Sequence, residues 1–158
     1  MTESSTYRAW QQLSSKPLGS RLFSAAAMIR VPYFASVLPH VRVMEPGRAE
    51  VDIPKWFFVY NHLHTVHAIA SCNAAEVAMG MAMEATVPGT HRWIPKAMTV
   101  QYLAKASTAL RARAEFTPPD FAAIAEGTEV VVAVGITDRA GVEVVHADIT
   151  TWVTLVSG

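Results

Sequence analysis

The sequence predicts an α+β protein in which an antiparallel sheet wraps around one long central helix. Three observations predict this class: apolar and polar residues alternate on both sides of residues 65–85, residues 65–85 are rich in small side chains, and turn signals separate the alternating segments. Residues 1–39 instead show loose helical spacing interrupted by prolines. We therefore expect an N-terminal helical extension at 1–39 and one sheet-and-helix domain at 40–158.

Alternation with a period of two first appears at 41–53, where Glu45-Pro46-Gly47-Arg48 suits a type II turn and predicts a β-hairpin. After residues 88–89 the same period predicts strands at 98–105, 110–116, 130–136 and 145–155, with a turn at 138–141. The insertion at 118–127 is a candidate for a helical turn. Hairpin, helix and then several strands is the order that an antiparallel sheet around one helix requires.

The central helix has an unusual composition. Half of Val66–Ala85 consists of small residues, namely Ala68, Ala70, Ser71, Cys72, Ala74, Ala75, Ala78, Gly80, Ala82 and Ala85. A surface helix would show a polar face, so we expect this helix to be buried.

Charge and cysteine content exclude several classes of protein. Thirteen Lys and Arg residues balance thirteen Asp and Glu residues, so the net charge is zero, which argues against nucleic-acid binding and against binding to anionic membranes. The single cysteine, Cys72, excludes an intramolecular disulfide framework and a Cys-rich metal site. The neutral charge also suggests that a second copy covers some apolar surface, as in a homodimer or homotetramer.

Nothing in the sequence predicts export or a membrane span. The first ten residues lack the pattern of a signal peptide. Asn73, Glu76 and Glu84 interrupt the longest apolar region, Val66–Ala85. We therefore expect a cytoplasmic protein.

Glu76 is the polar residue of this helix that most needs a role. A glutamate on a helix is commonly a solvated charge. Here its neighbours, among them Cys72 and Met79, indicate burial, and burial raises the pKa of a carboxyl group toward the range useful in acid–base chemistry.

Three histidines, His62, His64 and His67, precede the helix and suggest a metal site. Nine residues separate His67 from Glu76, which corresponds to about 900° of rotation and about 13.5 Å of rise along one helix. The two side chains therefore face opposite sides, and we expect no metal and no cofactor. Two copies packed around a two-fold axis would instead bring His67 of one copy toward Glu76 of the other.

Asn61, Thr65, His67 and Glu76 occupy the positions of a motif whose pattern resembles that of the hotdog-fold acyl-CoA thioesterases of the phenylacetic-acid-degradation type. Residues 100–106 look like the strand that follows the helix in that family, and 136–141 look like its penultimate hairpin. The likeness covers about residues 40–156. It implies a hotdog fold, in which the sheet wraps the helix, dimers form a continuous sheet and substrate lies between protomers.

By this resemblance, Glu76 is the general base or nucleophile at the carbonyl of an acyl-CoA or aroyl-CoA. Asn61 orients the attacking water or the substrate. The backbone N–H of Ala68 stabilises the oxyanion at the helix N-terminus, and His67 shapes that hole. His64 and Thr65 belong to the same substrate-binding loop.

The CoA phosphates need local positive charge, for which Arg92, Lys96 and Lys105 are candidates. For any one of them, a solvated position at the rim is the simpler interpretation.

The sequence departs from the family pattern at three places. Ala68-Ile69 replace Gly-Gly, His64 replaces a Gly, and Ile94-Pro95 stand about where some members carry Ser or Thr. Two other functions are considered beside the thioesterase: a non-catalytic hotdog protein that binds an acyl ligand, and a hydratase. The hydratase needs a close Asp/His pair, and His146-Ala147-Asp148 instead fits ordinary strand alternation.

Overall fold

The computed structural model describes residues 3–156. Its helices are α1 (Ser5–Ser14), α2 (Gly19–Arg30) and α3 (Ala68–Thr86), with short 3-10 turns at Pro32–Ser36, Phe57–Val59 and Phe121–Ala123. Its strands are β1 (His40–Glu45), β2 (Arg48–Ile53), β3 (His91–Tyr102), β4 (Leu110–Glu115), β5 (Thr128–Thr137) and β6 (Glu143–Leu155). The strands form one sheet in the order β1-β2-β4-β5-β6-β3, and every neighbouring pair is antiparallel.

The sheet wraps around α3 because one of its faces is apolar. Val51 pairs with Ala112, Ala112 with Ile136, and Ile136 with Val145, and all four side chains are buried. Eleven of the nineteen residues of α3 are buried as well. Since side chains alternate along a strand, the next row of residues points away from α3. The predicted hotdog architecture is therefore confirmed.

The predicted hairpin and helix are confirmed with small shifts at their ends. β1 and β2 flank a turn in which Gly47 has a φ of 80°, the positive value that a type II turn requires at its third position. α3 begins at Ala68, three residues later than the start of the predicted segment. The insertion at 118–127 does contain a helical turn, of 3-10 type.

One predicted strand is wrong in its bounds. We expected a strand at 98–105, whereas β3 begins at His91 and ends at Tyr102. β3 is an edge strand whose outward side chains are exposed, while Trp93, Met98 and Val100 on its inner face are only partly buried. The weak contrast between its two faces gives little apolar alternation to reveal it. Pro95 also conceals it, and the structure accommodates this residue beside a register shift.

The N-terminal helices cover one edge of the sheet and one end of α3. The Oγ of Ser24 in α2 accepts a hydrogen bond from the backbone N–H of Val41 in β1, at 2.9 Å. The Oγ of Ser4 donates to the carbonyl of Glu84 in α3, at 2.8 Å. The division of the chain at residues 39 and 40 stays a prediction. Among the helices of residues 3–156, none combines the length and apolar character that crossing a bilayer requires.

Candidate functional site

The loop before α3 is organised by Asn61. Its side-chain oxygen accepts hydrogen bonds from the backbone N–H groups of Leu63 and Thr65, at 2.9 and 3.0 Å, and its side-chain NH₂ donates to the Thr65 hydroxyl at 2.8 Å. Tyr60 and Val66 form a single β-bridge that closes the loop. The amide of Asn61 is thus occupied within its own loop, and this side chain holds the loop in shape.

His64 lies at the tip of this loop in the left-handed region, with a φ of 55°. That conformation suits glycine and is strained for a residue with a Cβ. The loop therefore keeps a glycine-like backbone although a histidine stands there. The hydrogen bonds of Asn61 on both sides of His64 supply the restraint that such strain needs.

His67 is the N-cap of α3. The ring Nδ1 of His67 accepts a hydrogen bond from the backbone N–H of Ile69, at 3.1 Å. The backbone N–H of His67 donates to the carbonyl of Val59. Because Nδ1 is an acceptor, a neutral His67 ring carries its proton on Nε2. The cap leaves the N–H of Ala68 without an acceptor within residues 3–156. This N–H stands at the positive end of the helix, where an anionic oxygen is stabilised.

One face of α3 is not covered by the sheet. Ile69, Cys72, Glu76 and Gly80 follow one another at helical spacing and are exposed or half-buried, while their neighbours are buried. The expectation that Glu76 is buried in the single chain is wrong. Small residues surround this helix on all sides, so the composition of the helix does not distinguish the open face from the buried ones.

Tyr102, at the end of β3, reaches toward this open face of α3. Its hydroxyl lies 3.4 Å from the Sγ of Cys72. This hydrogen bond raises the pKa of Tyr102, and burial raises it further. Sequence reasoning placed Tyr102 only within the family-like segment 100–106 and assigned it no contact. Its partner is thirty residues away in the chain, and no spacing rule joins the two.

The three predicted phosphate-binding cations do not lie together in one chain. Arg92 and Tyr102 stand at the two ends of β3, about 33 Å apart at about 3.3 Å per residue. Lys96 forms an ion pair with Glu129 and lies over the ring of Trp152. Of the three, only Lys105 lies near the loop before α3. The carbonyl of Ala106, the residue after Lys105, accepts a hydrogen bond from the backbone N–H of Val66 in that loop.

Metal ligands do not gather here. Within the described residues no group of three or more His, Cys, Asp or Glu side chains is placed to hold a metal ion. His62, His64 and His67 are all exposed and point from different parts of the loop. The structure therefore identifies no metal centre at the start of α3.

Comparison with known families identifies the chain. Residues 19–153 match the family described as a domain of unknown function, DUF4442. The protein belongs to this family. The match includes the loop, α3 and all of the sheet except the last two residues of β6. It also includes α2, which lies outside the part of the chain that resembles the thioesterases. A comparison with curated proteins finds no match.

Solved structures share the fold over nearly the whole chain. The structural-genomics protein APC5556 is 40% identical, with a TM-score of 0.83, covering 96% of this chain and 99% of that one. PA5026 from Pseudomonas aeruginosa, described as a protein of unknown function and probable thioesterase, is 18% identical, with a TM-score of 0.77, covering 89% and 98%. A thioesterase family protein from Silicibacter pomeroyi is 18% identical, with a TM-score of 0.70, covering 84% and 96%.

Proposed function

We propose that this protein hydrolyses an acyl-CoA or aroyl-CoA thioester, with Glu76 as general base or nucleophile and the N-terminus of α3 as the oxyanion hole. One observation carries the proposal: the N–H of Ala68 at the N-terminus of α3 has no acceptor within residues 3–156, and the carboxylate of Glu76 lies on the face of α3 that the sheet leaves open. The fold supports it, because it is shared with solved proteins described as thioesterases.

The proposed chemistry needs an acceptor for a proton and a donor to the carbonyl oxygen. Glu76 takes a proton from water as the water oxygen attacks the thioester carbon. The carbonyl oxygen becomes negative and accepts the N–H of Ala68, which the helix dipole strengthens. The C–S bond then breaks, the acid product forms, and the thiolate of CoA takes up a proton. As a nucleophile, Glu76 would instead form an anhydride that water hydrolyses.

These two groups belong to one site only if two copies contribute. Within one helix, Ala68 and Glu76 are separated by eight residues, or about 12 Å of rise. A two-fold axis running between two antiparallel α3 helices brings Ala68 of one copy near Glu76 of the other. We therefore propose a homodimer, or a dimer of dimers, as the active form.

The free edge of β3 supports this assembly. Within residues 3–156 the one strand that pairs with β3 is β6, so the other side of β3 presents unpaired backbone groups to a partner strand. Pro95 lacks an N–H and stands beside a register shift, so the uninterrupted part of this edge is residues 97–102. Tyr102 ends this segment and contacts Cys72, which links the free edge to the open face of α3.

The remaining residues have supporting roles in this proposal. Asn61 and Thr65 hold the loop, and with His64 and His67 they shape the entrance to the oxyanion hole. In this proposal Lys105 meets the CoA phosphates, because it lies near the loop of its own chain. Arg92 and Lys96 would reach substrate only from a second copy. We also propose a cytoplasmic location, where acyl-CoA substrates are met.

Replacement of Glu76 tests the proposal. Glu76→Gln keeps the size of the side chain and removes the group that accepts the proton, so kcat/KM for a responsive acyl-CoA should fall by about 10²–10⁴-fold. Glu84→Gln, two turns further along α3, is the matched control and should leave kcat/KM unchanged. Melting temperatures of both variants exclude unfolding as the cause.

Two outcomes would reject the proposal. A folded Glu76→Gln protein with wild-type hydrolysis would remove Glu76 from the mechanism. A wild-type protein that binds acyl-CoA and hydrolyses none of a panel of short, long and aromatic thioesters would identify a binding protein instead.

A further inference from the structure

A cavity lies on the face of the sheet that points away from α3. It has a volume of about 860 Å³. Asp52 pairs with Arg111, and Arg111 pairs with Thr137; this row is next to the apolar row that faces α3 and so points outward. α2 and residues 38–40 form one wall, and the turn at 138–141 forms another.

Four arginines line this cavity, and two carboxylates accompany them. The arginines are Arg21, Arg42, Arg111 and Arg139, and the carboxylates are Asp52 and Asp138. Four positive charges less two negative ones leave a local charge of +2 in a chain whose net charge is zero. Such a concentration on one concave surface attracts anions.

Both carboxylates already have partners. Asp52 receives two hydrogen bonds from Arg111, at 2.7 and 3.1 Å, and lies 3.6 Å from Arg42. Asp138 accepts the backbone N–H groups of its own turn, from residues 140 and 142. Within residues 3–156, Arg21 and Arg139 have no carboxylate within 4.0 Å. These two guanidinium groups remain available to a ligand.

His40 reports the same positive surroundings. Burial lowers its pKa, and the charges of Arg42 and Arg21 lower it further, against the opposing effect of Asp52. One of its ring nitrogens, Nε2, lies 3.0 Å from the Ser20 hydroxyl. The direction of this pKa shift agrees with the excess of positive charge on the cavity surface.

Part of the remaining lining is apolar. Met28 from α2 and Leu38 and Pro39 from the following segment face the cavity. The volume lies in the range of cavities that hold small molecules and cofactors. A ligand that fits carries negative charge at one end and an apolar or planar body at the other.

We propose that this cavity binds a multiply charged phosphate ester, with Arg21 and Arg139 as the principal ligands of the phosphate groups. Guanidinium groups match phosphate oxygens with paired hydrogen bonds, and two free ones in a cavity of local charge +2 favour a diphosphate over a single carboxylate. The site is separate from Ala68 and Glu76, which lie on the helix side of the sheet.

The segment 103–109 joins the two sites. The Thr108 hydroxyl accepts the N–H of Arg139, and the carbonyl of Ala106 accepts the N–H of Val66 beside α3. Because this segment runs from the cavity to the loop before α3, the phosphate ester is either a free nucleotide or the nucleotide end of CoA. Binding experiments distinguish these two sources.

Calorimetric titration of the full-length protein with inorganic pyrophosphate, ADP and CoA tests the site. We expect saturable binding of pyrophosphate, and at least a tenfold rise in Kd when Arg21→Gln and Arg139→Gln are combined. Arg30→Gln, at the end of α2 and outside the cavity, is the matched control and should leave Kd unchanged. Thermal melting shows whether the variants are folded.

The comparison of ligands identifies the source. Equal affinities for ADP and CoA support a free nucleotide, and at least tenfold tighter binding of CoA supports the nucleotide end of the substrate. Glu76→Gln should bind pyrophosphate as the wild type does, so failure of the proposed hydrolysis leaves this test intact. Absence of saturable pyrophosphate binding, or equal binding by the folded double variant, would overturn the proposal.

Discussion

Removal of the Asn61 side chain should loosen the loop before α3 without unfolding the protein. Asn61→Ala deletes two hydrogen bonds to backbone N–H groups and one to the Thr65 hydroxyl. Each such bond contributes about 0.5–1.5 kcal/mol net, which gives about 1.5–4.5 kcal/mol in total. The loop lies at the surface, so water replaces part of each bond, and the low end of about 1.5 kcal/mol applies.

A loss of about 1.5 kcal/mol corresponds to about a tenfold increase in local opening. The backbone N–H groups of Val66 and His67 report this opening, because they donate to the carbonyls of Ala106 and Val59 across the loop, at 2.9 and 2.8 Å. Hydrogen exchange of these two amides should accelerate about tenfold in Asn61→Ala. The strained His64 is expected to leave its left-handed conformation once the restraint is gone.

Two variants make this measurement decisive. Asn61→Asp keeps the oxygen that accepts both backbone N–H groups and should restore most of the protection. His62→Ala, an exposed neighbour outside the hydrogen-bond set, should leave exchange unchanged. Unchanged exchange at Val66 and His67 in Asn61→Ala would refute the argument that this amide holds the loop. The rate of thioester hydrolysis should fall less than in Glu76→Gln, since Asn61 positions the loop and takes no proton.

Three further predictions concern stability and titration. Gly127→Ala should lower the free energy of unfolding in urea by about 1–3 kcal/mol, because a Cβ there would lie 2.5 Å from the Trp152 ring at a φ of 122°. NMR titration should give His146 a pKa above its ordinary 6.5, because the hydrogen bond to Glu143 raises the pKa. Glu143→Gln should lower the pKa of His146. The stability that this pair contributes is complete below pH 6.5 and is lost as the pH rises through the raised pKa. Burial raises the pKa of Glu50, but the hydrogen bonds and charges of Arg48 and Arg113 outweigh burial, so the pKa lies below its ordinary 4.5. The stability that results is present above pH 4.5 and is lost as the pH falls through the lowered pKa. The acid unfolding curve of Glu50→Gln should therefore lack this pH-dependent loss of stability.

The fold was predictable from the sequence where one face of a strand is buried and the other is exposed to solvent. β2 and β4 alternate apolar and polar residues in sequence because every second side chain faces α3, and in β5 the buried residues follow the same period of two. The start of β3 was misplaced because its inner face is only partly buried and a register shift beside Pro95 interrupts its period. The exposure of Glu76 was missed for the converse reason: a helix made of small residues looks alike on every side.

The candidate site was predictable only as far as local spacing reaches. Asn61, Thr65 and His67 lie within seven residues, and the structure brings them into one loop. Contacts between distant segments have no such signal. Tyr102 meets Cys72 across thirty residues, and Arg21 and Arg139 share a cavity across more than a hundred. Strand direction and sheet order determine which of these distant residues come into contact, and a single sequence specifies neither.

The two edge strands of the sheet, β1 and β3, differ in whether they can pair with a strand of another chain, and this difference limits how copies of the protein can assemble. A sheet with two open edges adds strands without end, as in a fibre. Here α2 lies along β1 and occupies the N–H of Val41 through Ser24, which leaves β3 as the open edge within residues 3–156. In the proposed dimer, two β3 strands pair around a two-fold axis, and no edge remains for a third chain. In that assembly α2 would prevent further strand addition at β1, so removal of residues 1–39 should convert the proposed closed pair into an aggregating species.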